Sequence, residues 1–212
     1  MTKLLAFLGA MALSAAALAQ GQDLGPDQLV QKITDDVLAA VKSDKQLASG
    51  DKQKALKLAQ EKVLPYIDFE QATRLAVGRA WSQATPDQKQ RLVSEFRNML
   101  VRTYANAIQG YEGQTLKVLP SRGKQDPEDT TVRTQFIRAG GQPLPIDFAM
   151  RKTGEGWKVY DITVEGVSLV MTYRSEFDAV VKQEGIDGLI KRLASKNIPA
   201  AGVGGTAKPA TK

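Results

Sequence analysis

Asp161, Glu165, Tyr173 and Arg174 are the side chains best placed by type and spacing to do chemistry: two carboxylates, a phenol and a guanidinium in one short stretch, with Asp147 upstream. Paired carboxylates divide acid and base roles in glycoside chemistry when they stand about 5 to 9.5 Å apart. Asp161 and Glu165 lie on a segment that reads as extended, four residues apart on one strand face. At about 3.3 Å per residue that spacing separates them by roughly 13 Å. Hydrogen bonding around the turn at Gly166 is the simpler role for both. Tyr173 and Arg174 could bind a phosphate or brace that turn through an acid such as Asp161. Bracing is favoured, because a guanidinium pairs well with carboxylates in partly buried settings.

The chain has no histidine and no cysteine. That removes the commonest general base, the commonest zinc ligand, every Ser-His-Asp or Cys-His arrangement, disulfides and a lipidated cysteine. No phosphate-cradling Gly-x-x-x-x-Gly-Lys-Ser/Thr loop and no dinucleotide fingerprint occurs, and the Gly204-Gly205 pair falls in a biased tail. What remains for function is mostly apolar surface.

The elements that would position these residues are punctuated clearly. Met1 to Ala19 has an early cation, Lys3, an apolar run from Leu4 to Leu18 and the small-x-small ending Ala17-Leu18-Ala19, so residues 1–19 read as a signal peptide and the chain as exported. Residues 20–198 read as a single domain, and 199–212, rich in Ala, Gly, Pro, Lys and Thr, as a disordered tail. The net charge of +6 has its cations interspersed with acids, which together with export argues against nucleic acid as a partner. Lys191, Arg192 and Lys196 are the candidates for attraction to anionic headgroups or an acidic docking surface.

Pro26 at a first helical position, followed by Leu29, Ile33, Val37 and Val41, predicts a helix to about Ser43. A second runs from about Asp51 to Leu64, stopped by Pro65; a short third starts at Asp68 and Gln71 and ends near Gly78. Thr85-Pro86-Asp87-Gln88 opens a long helix with Leu92, Phe96, Leu100, Tyr104 and Ile108 at intervals of four, closed by Gly110. Four strands of period two follow, around Leu116 to Val118, Val132 to Phe136, Leu144 to Met150 and Tyr160 to Val164, linked by turns as an antiparallel meander. Two helices close the chain, Ser168 to about Gln183 and Ile186 to Asn197. The fold class is α+β: a helical part over about 26–110, a sheet over about 113–165 covered by helices, and closing helices over about 168–197.

Two separated motifs carry a family resemblance. One is Gly78-Arg79-Ala80-Trp81-Ser82-Gln83-Ala84-Thr85-Pro86-Asp87-Gln88, with Phe96, Leu100 and Tyr104 downstream; the other is Trp157-x-Val-Tyr-Asp-Ile-x-Val-Glu-Gly-Val-Ser168 with Tyr173, Arg174 and Phe177. Together they resemble the periplasmic phospholipid-binding proteins of the MlaC or toluene-tolerance family. The resemblance implies an NTF2-like four-stranded antiparallel sheet with an N-terminal helical subdomain, acyl chains held between sheet and helices, and no enzymatic activity or cofactor, phospholipid being the cargo. It implies as partners an inner-membrane ABC transporter complex with an MCE-domain subunit and an outer-membrane lipoprotein, and a role in maintaining outer-membrane lipid asymmetry; the protein is expected to be a monomer. The inward candidates for lipid contact are Leu116, Val118, Val132, Phe136, Ile146, Phe148, Met150 and Ile162 on the strands, faced by Leu100, Tyr104, Val167, Val170 and Met171. Enclosing both tails of a phospholipid would call for a cavity near the upper end of the usual range, about 1,000 Å³. Two other readings are an enzyme on an NTF2-like scaffold using Asp147 or Asp161, and a periplasmic chaperone or interaction module.

Overall fold

The computed structural model describes residues 24–104, 113–120, 126–138 and 140–195. The expected leader, the 199–212 tail, the end of the long helix at Ile108 and Gly110, Lys196 and Asn197 lie outside the described residues.

Helix α1 (Pro26–Ser43) starts where expected, with the Gly25 amide donating to Gln28 Oε1 at 3.2 Å. A four-residue helix that periodicity did not reveal, α2 (Lys45–Ala48), follows because Asp44 caps it, accepting from the amides of Gln46 (2.9 Å) and Leu47 (3.2 Å). Asp51 caps α3 (Lys52–Lys62) in the same way, and Pro65 falls in a single 3₁₀ turn that leads to α4 (Phe69–Val77), capped by Asp68. The capping box of α5 (Pro86–Tyr104) is reciprocal: Gln88 N–H donates to Thr85 Oγ1 at 3.2 Å, and Thr85 N–H to Gln88 Oε1 at 3.0 Å.

The strands β1 (Thr115–Val118), β2 (Asp129–Ile137), β3 (Leu144–Thr153) and β4 (Gly156–Val164) form an antiparallel meander in chain order. Where a four-stranded sheet was expected, a short fifth strand, β5 (Val167–Ser168), adds to the β4 edge. The turn between them is Glu165-Gly166, both at positive φ (51° and 84°), as a two-residue type I′ hairpin requires. Gly166 therefore makes a hairpin before the helix begins, and Ser168 then caps α6 (Leu169–Ala194), accepting from the Met171 amide at 3.0 Å. The two expected closing helices are the halves of α6, broken at Gly185 (φ 71°, ψ −176°).

Two packing units meet at β4. Helices α4, α5 and α6 bury Ala76, Leu92, Phe96, Tyr173, Phe177, Leu189 and Leu193 together. At its centre the ring of Phe96 stands edge-on to both Tyr173 and Phe177, with centroids 5.4 and 5.2 Å away, a favoured aromatic geometry. On the other side, α1 lies across the sheet, and its Leu29 and Val30 bury against Val132, Met150 and Val159. A smaller cluster, Val41, Leu47, Ala55 and Leu58, holds α2 and α3 to α1. Among the described residues, no helix is long and apolar enough to cross a membrane.

Candidate functional site

An apolar cavity of about 390 Å³ opens where the two packing units meet. One wall is α3 and the turn after it, through Ala55, Leu56, Ala59, Val63 and Leu64; α1 adds Val37, and α4 with its approach adds Ile67, Phe69 and Ala72. Phe96, Leu100, Val101 and Tyr104 come from α5, Val159 to Ile162 from β4, and Leu169, Val170 and Tyr173 from the start of α6. Small residues at Ala55 and Ala59, one turn apart, leave the space that the larger side chains bound.

Strand β4 reaches this cavity through a bulge. Met150 pairs with Val159 but Ala149 pairs with Asp161, so Tyr160 is the extra residue, and Val159 and Ile162 share a face although three apart. The frame is tied at two points: Asp68 N–H donates to Val159 O at 2.8 Å, and Arg151 reaches from β3 to Gln71 Oε1 (3.2 Å) and Asp68 Oδ2 (3.5 Å).

The polar residues around the cavity are largely committed to architecture. The Asp161 carboxylate accepts from its neighbour Ile162 N–H (2.8 Å), Val170 N–H (3.1 Å) and Ser168 Oγ (2.5 Å), fixing the start of α6 against the strand. It does not pair with Arg174, whose guanidinium instead lies over Gly78, with atoms 3.1 to 3.2 Å from where a β-carbon would stand. Glu165 sits in the hairpin turn, exposed. Asp147 alternates with Ile146 and Phe148 and so faces away from α1, opposite Arg133 on β2. The Tyr160 hydroxyl donates to Asp129 Oδ1 at 3.0 Å, and burial followed by that bond pushes its pKa up to about 12. Burial, followed by its interaction with the Tyr173 hydroxyl, likewise raises the Tyr104 phenol above its ordinary value. Among the described residues, no group of acidic side chains is gathered as a metal site.

Of the thirteen residues singled out from the sequence, Leu100, Tyr104, Ile162 and Val170 line the cavity. Leu116, Val118, Val132, Phe148 and Met150 lie on the expected sheet face but under α1, in the core that Leu29 and Val30 complete. Phe136 and Ile146 share that face, half-buried, outside the cavity wall. Val167 and Met171 point outward, each 48% exposed, because β5 and the first turn of α6 leave one side to solvent. Strand alternation identifies which face is buried; it carries no information on whether a helix or a cavity covers it. The α3 wall was the part missed, although Ala55, Ala59 and Val63 recur at four-residue spacing in the sequence. Of the basic candidates on the last helix, Arg192 bonds Glu184, its Nε 3.1 Å from Oε2, and Lys191 is exposed.

The sequence profile described as MlaC protein matches residues 31–195, nearly the whole of the described fold. The chain belongs to the MlaC family. Among family relatives, it is 24% identical over 175 residues to the intermembrane phospholipid transport system binding protein MlaC of Haemophilus influenzae, covering 81% of each chain. It is 24% identical over 163 residues to the toluene tolerance protein ttg2D of Pseudomonas putida, covering 76% of this chain and 75% of the other. A phospholipid-binding protein from Ralstonia solanacearum, solved in complex with a phospholipid, superposes with a TM-score of 0.73 at 39% identity, over 80% of this chain and 94% of that one. The open antiparallel sheet with helices, expected to be NTF2-like, is thus the family's own architecture. The two motifs that carry the resemblance also touch in space: Gly78 of the first lies under Arg174 of the second, and Phe96 packs on Tyr173 and Phe177.

Proposed function

We propose that this protein is a periplasmic phospholipid carrier that encloses acyl chains in the cavity between α3, α5, α6 and β4 and performs no chemistry of its own. The observation that carries the reading is the apolar lining of that cavity in a fold shared with a phospholipid-bound relative. A diacyl lipid has about 30 methylenes, and transferring both tails to water would cost on the order of 25 kcal/mol at ~0.8 kcal/mol each. Unassisted passage through an aqueous compartment is therefore negligible, and a carrier must cover most of that surface.

The acyl contacts in this reading are Leu100, Tyr104, Ile162 and Val170, with Ala59, Val101 and Leu169 joining them. The cavity, about 390 Å³, is smaller than the roughly 1,000 Å³ expected for two full tails. Loading both tails then requires a wall to move, and among the described residues the cluster behind α3 is the small one of Val41, Leu47, Ala55 and Leu58. Residues 20–198 act as one lipid-binding domain after loss of a 1–19 signal peptide. Release follows docking with membrane partners, an inner-membrane ABC transporter complex with its MCE-domain subunit and an outer-membrane lipoprotein, and the traffic preserves outer-membrane lipid asymmetry. Delipidated protein incubated with radiolabelled phospholipid vesicles, and then freed of vesicles by sedimentation, should retain soluble label that comigrates with it on gel filtration. Label remaining wholly with the vesicles would overturn the reading.

A further inference from the structure

Among the described residues, four side chains with polar atoms line the cavity: Tyr104, Tyr160, Asp161 and Tyr173. Two are visibly committed, Tyr160 to Asp129 and Asp161 to Ser168 and the Ile162 and Val170 amides. Tyr173 is fully buried within the aromatic cluster of Phe96 and Phe177 and has interactions of its own. Tyr104 differs. Its hydroxyl is buried beside that of Tyr173, yet among the described residues no group meets it in good hydrogen-bonding geometry. Such a group is rare in native proteins, because burying it forfeits the bond it would make to water. A phenol is both donor and acceptor, and its proton stays in place across the physiological range.

We propose that the Tyr104 hydroxyl donates a hydrogen bond to an acyl ester carbonyl of the bound lipid, forming a polar subsite within an otherwise apolar cavity. The proposal rests on the carrier reading above. Tails supply only carbon, so in a phospholipid the groups able to meet a donor at cavity depth are the ester carbonyls where each chain joins the glycerol. The subsite would set how deep the tails enter and would discriminate ester-linked from ether-linked chains, whatever the headgroup. Burial and the neighbouring Tyr173 hydroxyl, which both raise the Tyr104 pKa, keep it protonated for this role.

The test compares binding of a diester phosphatidylglycerol with its diether analogue of equal chain length, in the unaltered protein, in Tyr104→Phe and in Tyr66→Phe. Tyr66 packs on the α1 side of the sheet and does not line the cavity. The unaltered protein and Tyr66→Phe should prefer the diester by about five- to tenfold, the worth of one net hydrogen bond, and Tyr104→Phe should bind both lipids alike. As a readout that needs no variant, the carbonyl stretch of ¹³C-labelled diester bound to the unaltered protein should lie below that of a free ester in an apolar solvent. Equal affinity for the two lipids in the unaltered protein, a preference that survives Tyr104→Phe, or an unshifted carbonyl band overturns the proposal while leaving lipid carriage intact. Binding of neither lipid overturns both.

Discussion

At the scale of single residues, the polar side chains that looked able to do chemistry hold the structure in shape. Asp161 is the clearest case: its oxygens secure Ser168 and the Val170 amide at the start of α6, so its position four residues from Glu165 reflects a hairpin and a helix cap. Arg174 is used in an unexpected way, laid over Gly78 instead of paired with an acid. Gly78 has φ 63° and ψ −129°, a conformation that only glycine adopts without strain, and its missing side chain leaves room for the guanidinium. Gly78→Ala should therefore destabilise the fold by about 1 to 3 kcal/mol. Urea denaturation should show a lower midpoint with an unchanged slope, and an unchanged midpoint would mean that the Gly78 turn relaxes at no cost. This contact was invisible in the sequence, because the two residues are far apart in the chain and neither has a partner that local spacing reveals.

At the scale of elements, the caps and periods were legible and the coverings were not. The Thr85-Gln88 capping box, the Asp51 and Asp68 caps, the break at Gly185 and the two-residue alternation of β2 and β3 are local patterns enforced by backbone hydrogen-bonding needs. Which helix covers which strand depends on the tertiary fold. Val132 and Met150 have the alternation of a lipid-facing strand but lie beneath α1, whereas the small residues of α3 form a cavity wall that alternation could not reveal. The distinction has a consequence for mutagenesis. Ala59→Phe should fill the cavity and weaken acyl binding at least about tenfold while leaving the core packing intact. Met150→Glu should place an unpaired charge in a fully buried site and unfold the protein instead. Lipid retention measured beside thermal denaturation separates the two outcomes; lipid retained in folded Ala59→Phe would mean that the acyl chains lie elsewhere.

At the scale of the whole molecule, two packing units joined at β4 leave an apolar space between them, which in the proposed reading holds acyl chains. The family was legible because its two motifs sit at the joint: Gly78 through Gln88 frames the helical unit, and Trp157 through Arg174 runs through the edge of the sheet into α6. In that reading, cargo that costs so much to expose to water should stay with the protein through isolation. The measurement that bears most directly on this is organic extraction and mass spectrometry of the protein purified from periplasm without detergent. Phospholipid should be recovered at about one molecule per chain; protein that is folded, monodisperse and free of stoichiometric lipid would contradict the account.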